Sequence, residues 1–576
     1  MAPALKKYDW ILAITTIAFV ASSASNGAND VANSYATSVA ARTIKMWQAG
    51  ILASFTEFFG AVALGARVTG TIKGGIFDLN TFKSSPATLM LAMGCAEVGS
   101  ATFLTIATFS GMPVSTTQTV VGALAGVGIA AQSPLSWGWK KGSISQIAAS
   151  WVIAPFISAA FSAILFLTVK FGVLQRKDPL KWGLRMIPFY LAFTAGILAL
   201  FIIDELPNGQ SLEEMGAGKG CGIILGVFFG ILAIAYIFFV PYFTRRLVKG
   251  DTRMRFWHIP LGPLLYRENP PIYFPGKGDQ VVTDYYAKAA PADSQLLQDN
   301  LKGEKGDGRS TSLDNKSSGD NDNADIERAG RGLSNPVPRE GPVVHLVPAK
   351  PEPEERWLEP VKHLPIYSPK KIMNWTKFIL LQGVSRDVVT QKNLGAIHAR
   401  AVVYDNRVEH LWTYAQVASA MMMSIAHGSN DVANAVGPWV GAYNTYTSGI
   451  VTKEADTPIW ILVVAGLLLG LGFWFYGYHI MRALGNKITQ VSPTRGFSME
   501  LGAAITVLLA SRLALPVSTT QCLTGATIGV ALCNFDVKAV NWKQVAFIFS
   551  GWIITLPGAG LISGLMMAMA LNTPHF

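Results

Sequence analysis

Two copies of an Asn-Asp-x-x-Asn pattern stand out among the polar residues of the sequence. Asp30 is followed by Asn33, and Asp431 is followed by Asn434. Residues at positions i and i+3 share a face of a helix, so each copy presents a carboxylate together with an amide oxygen. Oxygen ligands of this kind suit a hard cation. Capping of a helix end by Asn or Asp is the simpler alternative. Capping needs one such residue and not a repeated set, so the pattern favours cation binding.

An identical hexapeptide, PVSTTQ, occurs at 113–118 and again at 516–521. Its proline breaks or starts a helix, and three hydroxyl side chains follow at once. A helix N-terminus offers free N–H groups and a positive dipole end, which favour an oxyanion. The predicted anion ligands are Ser115, Thr116, Thr117, Ser518, Thr519 and Thr520. Ordinary capping and back-bonding of Ser and Thr within a helix is the alternative. The identical pair favours a binding site.

Three glutamates also lie in or near apolar segments. Glu97 and Glu500 stand at the same distance before the two PVSTTQ copies, whereas Glu57 has no counterpart. Buried carboxylates of this kind carry protons or help to bind a cation. The sequence leaves open whether these glutamates are instead paired with basic residues.

Basic residues at matched positions are a second ionisable set. Arg67 and Lys487 occupy corresponding positions in the two repeats and could attract an anion. That their side chains instead extend toward the lipid headgroups is an equally weighted alternative. His427 stands where the first copy has Asn26. No nucleophile elbow accompanies this histidine, so a hydrolase triad is not expected. We expect a hydrogen-bonding role for His427, and we do not expect the protein to be an enzyme.

The segments that must position these residues are apolar. The chain has 576 residues, of which 50% are hydrophobic and 14% charged, against about 25% charged in soluble domains. Spanning helices need roughly 20 apolar residues. Suitable stretches are 10–24, 46–66, 88–108, 144–169, 186–203, 221–240, 459–478 and 545–569, with shorter ones at 114–131, 411–425, 499–513 and 517–532. We therefore predict an all-α integral membrane protein in the lipid bilayer with about twelve transmembrane helices.

The order of the motifs indicates an internal duplication. GANDVAN at 27–33 precedes the first PVSTTQ, as GSNDVAN at 428–434 precedes the second. We predict an N-terminal membrane repeat over 1–243, a hydrophilic insert over 244–408 and a C-terminal membrane repeat over 409–576. Seven crossings before the insert and five after it make the repeats inverted in topology, with broken helices at the motifs. A cytoplasmic insert then places both termini outside the cell.

The insert and the net charge narrow the possible partners. The stretch 301–332 is rich in Gly, Ser, Asp, Asn and Lys, so the insert is expected to be largely disordered. Residues 375–389 fit either an amphipathic helix at the membrane surface or a loose linker. The net charge of +11 comes with basic residues beside membrane segments, which suits the positive-inside rule and not nucleic acid.

The duplicated motifs GANDVAN, GSNDVAN and PVSTTQ resemble those of the PiT family of inorganic phosphate transporters, in particular its fungal sodium-coupled symporters. The resemblance covers both membrane halves and implies a phosphate symporter of the plasma membrane, by alternating access, and a homodimer. It implies sodium at Asp30, Asn33, Asp431 and Asn434, as a co-transported substrate with no cofactor. It also implies phosphate at the two Ser-Thr-Thr runs.

The resemblance extends to further positions. Glu57, Glu97, His427 and Glu500 match positions important for transport in the family. Gln118 and Gln521, expected beside the phosphate, stand where many members carry histidine, so a proton relay through imidazole is absent at this position. Proton coupling through the glutamates, or a phosphate-sensing receptor that signals through the insert, are the alternatives to sodium symport.

Overall fold

The structure is a computed structural model, and it defines most of the membrane-embedded chain. It describes residues 3–65, 75–139, 143–205, 212–277, 280–289, 346–347, 350–390, 395–398, 400–452, 457–513 and 515–573. Arg67, one of the predicted site residues, lies outside these residues, as does the segment 301–332.

The part of the chain before the insert is helical. Its longer helices are α1 (Asp9–Asn26), α2 (Ala32–Ala40), α3 (Met46–Leu64), α4 (Pro86–Phe109), α5 (Thr116–Ala130), α6 (Ile144–Val169), α7 (Pro179–Glu205) and α8 (Ala217–Ile234). Two short α-helices are Leu212–Met215 and Val240–Phe243. One-turn π-helices are Gly27–Val31, Lys170–Leu174, Ala235–Phe239 and Thr244–Val248. Helices of the 3-10 type are Lys6–Tyr8, Leu79–Phe82 and Phe256–Tyr266.

The later part of the chain is helical as well. Its longer helices are α9 (Pro369–Ser385), α10 (Thr413–Ser448), α11 (Ile459–Tyr476), α12 (Tyr478–Ile488), α13 (Pro493–Arg512), α14 (Thr519–Leu532) and α15 (Trp542–Asn572). Shorter helical segments are Glu354–Leu358, Glu359–Val361, Gly395–His398, Asn406–Leu411 and Val537–Ala539. Residues 286–289 and 346–347 belong to a unit separate from the helices. Within it, β1 (Lys288–Ala289) pairs in parallel with β2 (Leu346–Val347).

Each of the apolar stretches found in the sequence overlaps a helix of the structure. Helices are expected here because a chain in lipid must satisfy its backbone hydrogen bonds internally. Among the described residues, seven helical segments are long and apolar enough to cross a membrane: Lys6–Ala40, Pro86–Phe109, Ile144–Leu174, Pro179–Ile203, Ala217–Val248, Ile459–Tyr476 and Trp542–Asn572. Helix α5 is apolar but shorter, and α10 carries polar motif residues. The prediction of an all-helical membrane protein is confirmed.

Helix packing repeats between the two halves with the partners exchanged. Helix α1 packs on α4 as α10 packs on α13, and these contacts lie within each half. In contrast, α5 packs on α15 as α14 packs on α6, and α3 packs on α10 as α11 packs on α1. Each half therefore completes the other. Reciprocal contacts of this kind are what a two-fold relation between homologous halves produces.

Two features of the predicted insert are visible in the described residues. Of the two alternatives for residues 375–389, the helix is observed, since α9 covers most of them. Residues 350–361 form a segment held by ion pairs, in which Glu352 bonds Arg386 and Arg482. The boundaries at 243 and 409 stay a prediction.

Candidate functional site

The first Asn-Asp motif lies where α1 and α2 meet. The π-helix Gly27–Val31 widens the backbone at this junction and carries Asp30. Single-turn π-helices of this kind recur at functional sites. The second motif differs, because Asp431 lies within the continuous α10. Both aspartates are buried, with exposures of 1% and 0%.

Glycines at the start of the two motifs permit a very close approach of neighbouring helices. A Cβ atom added at Gly27 would lie 1.9 Å from the carbonyl oxygen of Leu469, on α11. A Cβ atom added at Gly428 would lie 2.7 Å from the carbonyl oxygen of Glu57, on α3. Since Gly27 and Gly428 are equivalent motif positions, Leu469 stands in one half where Glu57 stands in the other.

The two PVSTTQ segments form the N-termini of α5 and α14. The Ser115 hydroxyl accepts a hydrogen bond from the Gln118 N–H at 3.2 Å, and Ser518 accepts one from the Gln521 N–H at 3.3 Å. These serines are therefore N-caps, which was the simpler alternative for them. Their hydroxyl protons have no acceptor among the described residues and can be donated to a ligand. The threonines that follow have other partners.

The Asp30 carboxylate accepts hydrogen bonds from hydroxyl groups of both halves. Thr116 Oγ1 donates to Asp30 Oδ2 at 2.5 Å, and Thr520 Oγ1 donates to Asp30 Oδ1 at 2.8 Å. Asn33 Nδ2 lies 3.2 Å from Asp30 Oδ1 and 2.7 Å from the Thr520 hydroxyl. The first carboxylate is thus bound by a helix N-terminus of its own half and by one of the other half.

Asp431 has a similar surrounding. Thr519 Oγ1 donates to Asp431 Oδ2 at 3.0 Å, and Asn430 and Asn434 donate to Asp431 Oδ1 at 2.8 and 3.0 Å. Asn434 also donates to the hydroxyls of Thr116 and Thr117, both at 3.0 Å. The residues that were predicted to hold sodium and those predicted to hold phosphate therefore form one cluster.

The two PVSTTQ segments also touch each other directly and reciprocally. Thr117 Oγ1 lies 3.2 Å from the Val517 carbonyl oxygen, and Thr520 Oγ1 lies 3.1 Å from the Val114 carbonyl oxygen. These are equivalent positions of the two hexapeptides. The helix N-termini of α5 and α14 consequently meet in the interior, where their free N–H groups and dipoles act on the same volume.

His427 connects the cluster to Glu57. Its Nδ1 lies 2.8 Å from Glu57 Oε2, and its Nε2 lies 2.8 Å from Asp431 Oδ2. Ser424 donates to the other oxygen of Glu57 at 2.6 Å. One ligand atom from each of Asp30, His427 and Asp431 fits within 4.8 Å. Within the described part of the chain, no Lys or Arg forms an ion pair with these carboxylates.

Amide oxygens at the cluster have no hydrogen-bond partner among the described residues. They are Asn26 Oδ1, Asn33 Oδ1, Asn430 Oδ1, Gln118 Oε1 and Gln521 Oε1. Buried acceptors are normally paired, so several unpaired ones together provide oxygens that could coordinate a ligand. Amide and carboxylate oxygens in this number suit a hard cation. The cation would also offset the charge of two buried aspartates.

Glu97 and Glu500 occupy separate buried places. Thr37, Ser38 and Ser419 donate to the Glu500 carboxylate at 2.6, 2.6 and 2.7 Å. Both carboxylate oxygens of Glu97 are buried, and neither accepts a hydrogen bond of good geometry in the described chain, although Ser22 lies beside the carboxyl. Neither glutamate bonds a residue of the two motifs. Lys487 is partly exposed in the last turn of α12, and its side chain makes no ion pair with the cluster in the described chain.

No role was predicted from the sequence for Ser424, for Asn430, the first residue of the second motif, or for the hydroxyls around Glu500. Ser424 precedes His427 by three residues in an apolar helix, and this spacing is a signal that could have been used. No comparable signal exists for Thr37 and Ser38. They lie on α2, more than 460 positions from Glu500, and only tertiary packing brings them together.

A polytopic helical fold with buried, paired carboxylates facing two helix N-termini defines a membrane transport protein. Relatives of the chain agree with this class. The phosphate-repressible phosphate permease pho-4 of Neurospora crassa is 40% identical, with 99% of each chain covered. Sodium-dependent phosphate transporter 1-B of Danio rerio is 29% identical, over 98% of this chain and 96% of the relative.

A solved structure described as the sodium-dependent phosphate transporter has the same fold. It superposes with a TM-score of 0.63 at 24% identity, covering 98% of this chain and 100% of that one. The model of the phosphate transporter family matches residues 26–563. The chain belongs to the phosphate transporter family. It is a membrane transport protein and not an enzyme, as the sequence analysis expected.

Proposed function

We propose that the protein is a sodium:phosphate symporter that imports inorganic phosphate across the plasma membrane by alternating access. The observation that carries the proposal is the shared cluster, in which Asp30 bonds Thr116 of one helix N-terminus and Thr520 of the other. Its curated relatives include proteins named sodium-dependent phosphate transporters.

The cluster accounts for coupling between cation and anion. In the present arrangement the aspartates occupy the hydroxyl donors that an oxyanion needs. Sodium bound to Asp30 and Asp431 would compete for the carboxylate oxygens and neutralise them, which frees the Thr hydroxyls. Phosphate then meets donors and two positive helix ends instead of two negative charges. Cation binding therefore precedes anion binding, and each favours the other, as linkage requires.

The remaining parts of the proposal concern sites and placement. Asn33 and Asn434 supply sodium ligands, and Ser115, Thr117, Ser518 and Thr519 join the phosphate site with Gln118 and Gln521. The protein needs no cofactor, works as a homodimer, and keeps its insert in the cytoplasm with both termini outside. The exchanged packing of homologous helices supports the alternation, because both sets of contacts can interchange between inward-open and outward-open states.

Proton coupling is the second candidate, and one observation favours it. His427 lies between Glu57 and Asp431 at 2.8 Å from each: its Nδ1 is hydrogen-bonded to Glu57, whereas its Nε2 is close to Asp431 without hydrogen-bond geometry. A histidine between two carboxylates can pass a proton into the cluster. Protonation of Asp30 and Asp431 would release the hydroxyls just as sodium binding does.

Uptake of radiolabelled phosphate by the purified protein in liposomes separates the two candidates. An inward sodium gradient at fixed pH is compared with an inward proton gradient without sodium. We expect accumulation with sodium alone, and its loss in Asp30→Asn and Asp431→Asn. Asp9→Asn is the matched control, since Asp9 lies on the same helix as the first motif but is exposed. Proton-driven accumulation without sodium would refute sodium coupling and support the chain through Glu57.

A further inference from the structure

Arg495 is buried at the start of α13, away from the transport cluster. Its side chain has an exposure of 0%. Nη2 donates to the Val402 carbonyl oxygen at 2.7 Å, whereas Nε and Nη1 have no acceptor within the part of the chain that the structure describes. A buried guanidinium with two unpaired N–H directions is costly unless a ligand completes it.

Aromatic rings surround this guanidinium without satisfying its donors. The Arg495 Cζ atom lies 5.6 Å from the ring centroid of Tyr404 and 6.0 Å from that of Phe166. These distances are in the range of cation–π contacts. The Tyr404 hydroxyl is buried and also has no hydrogen-bond partner among the described residues. Three donor positions are therefore without acceptors at one place.

A second buried cation lies one helical turn beyond Phe166. Lys170 Nζ donates to the Cys533 carbonyl oxygen at 2.6 Å and lies 4.3 Å from the ring centroid of Phe535. Lys170 has an exposure of 3%, and the Phe166 ring that contacts the Arg495 guanidinium lies one turn before it on the same helical segment. Two buried positive charges, Arg495 and Lys170, therefore lie at the ends of different helices in this region.

Neither cation has an ion-pair partner in the described chain. Glu409 is the nearby acid, but its carboxylate accepts from the N–H and the hydroxyl of Thr494, at 2.9 and 3.1 Å. It therefore serves the N-terminus of α13. A phosphate group would accept from Arg495 and Tyr404, and its charge would balance both cations.

We propose that Arg495, Lys170 and Tyr404 form a second anion site, which binds the phosphate headgroup of an anionic lipid. The exposed rings of Phe171 and Phe535, at 51% and 77%, flank Lys170 and offer an apolar surface for acyl chains. Basic pockets between the ends of transmembrane helices bind such headgroups. Free inorganic phosphate shares the chemistry but makes no use of these rings.

Native mass spectrometry of the detergent-purified protein tests the site. The probes are eight-carbon phosphatidylinositol 4-phosphate, eight-carbon phosphatidylcholine, inositol 1,4-bisphosphate and inorganic phosphate. We expect the wild type to retain the phosphoinositide well above phosphatidylcholine. Arg495→Gln and Lys170→Met should each weaken that binding about tenfold or more, as the loss of a charge-assisted hydrogen bond does. Lys538→Gln is the matched control, because Lys538 is a nearby exposed cation.

The outcomes distinguish lipid from soluble phosphate. Inositol bisphosphate that binds the wild type as tightly as the phosphoinositide, and is lost equally in both variants, would overturn the lipid part of the proposal, because the acyl chains would then contribute nothing. Arg495-dependent binding of inorganic phosphate, with no preference for the lipid, would replace the lipid by the free anion. Phosphoinositide binding that is the same in both variants as in the wild type would overturn the proposal. Because the readout is binding, failure of sodium-coupled uptake leaves this test unaffected, and a melting curve of each variant confirms folding.

Discussion

His427 Nδ1 lies 2.8 Å from Glu57 Oε2 in the interior of the protein, and this pair is not repeated at the equivalent positions of the duplicated motifs. The equivalent positions hold Asn26 and Leu469. The first half of the chain supplies the carboxylate and the second half supplies the imidazole. The cluster is therefore near-symmetric, with an ionisable pair on one side of it.

The contribution of this pair to stability can be tested by replacing its members with Asn and Leu, the residue types found at the equivalent positions. His427→Asn alone leaves the Glu57 carboxylate buried without its partner, and we expect a loss of about 3–5 kcal/mol in the free energy of unfolding. Adding Glu57→Leu should recover much of that loss, because it removes the unpaired buried carboxylate. The double variant then has Leu and Asn at these positions, as at Leu469 and Asn26. Thermal unfolding in detergent measures the effect. Strictly additive losses in the double variant would show that the two side chains are not coupled.

Thr520 is expected to link the two halves functionally. Thr520→Val removes the hydroxyl that donates to Asp30 at 2.8 Å and leaves the shape unchanged. A hydrogen bond to a charged group contributes about 1.5–3 kcal/mol, and sodium must displace this one from the carboxylate, so the half-saturating concentration of sodium should fall at least about tenfold. Thr524→Val is the control, because Thr524 donates only to the carbonyl of the preceding turn. Unchanged sodium dependence in Thr520→Val would contradict a shared site.

The close approach at the first motif predicts a steric effect. Gly27→Ala places a methyl group 1.9 Å from the Leu469 carbonyl oxygen, so α1 and α11 must separate. We expect a loss of at least about 1–3 kcal/mol in stability, typical of overpacking, together with loss of uptake. Gly222→Ala is the matched control, since nothing lies within 4 Å of its added Cβ. That variant should melt at or above the wild-type temperature, because alanine favours helix.

The two repeat-related glutamates should respond differently to neutralisation. Glu500→Gln loses charge-assisted hydrogen bonds from Thr37 and Ser38, at a cost of about 1–3 kcal/mol. Glu97→Gln removes a buried carboxyl that accepts no hydrogen bond of good geometry in the described chain, and should not lower the melting temperature. Melting curves of both variants in one detergent provide the comparison. A larger loss for Glu97→Gln would reveal a ligand at that carboxyl.

We expect Asp387 to stabilise the attachment of the segment 350–361 in a pH-dependent way. Burial raises the pKa of its carboxyl, but backbone N–H groups of Thr390, Lys350 and Val389 outweigh burial and hold that pKa below its usual range. A carboxyl with a lowered pKa stabilises the fold fully above its unfolded pKa of about 3.9, and the contribution fades as pH falls through the folded value.

Asp387→Asn should therefore lower the melting temperature at pH 7, by the equivalent of about 1 kcal/mol. The difference from the wild type should shrink as the pH is lowered through 4 and below. Melting curves of both proteins at pH 7, at pH 4 and at about pH 2.5 measure it, since the contribution is lost only below the unfolded pKa of about 3.9. A difference that grows on acidification would contradict the sign of this argument.

Much of this protein could be read from its sequence, because the relevant signals are local. Continuous apolar stretches specify helices in lipid, whatever their neighbours. The cost of intramembrane charge marks Asp30 and Asp431, and duplication shows that their motifs act as a pair. Ser115 shows the limit of that reading, since its position before a helix fitted both capping and ligand binding, and the structure makes it an N-cap.

Only the tertiary structure decided which residues meet. Thr520 and Asp30 are 490 positions apart, and no pattern in the chain predicts that one hydroxyl bridges both halves. The same is true of Thr37 with Glu500, and of Arg495 with its unpaired donors. Sequence periodicity reports how a segment folds against itself, whereas these contacts depend on how separate helices pack. That packing is fixed by glycine contacts and side-chain shapes distributed over the whole fold.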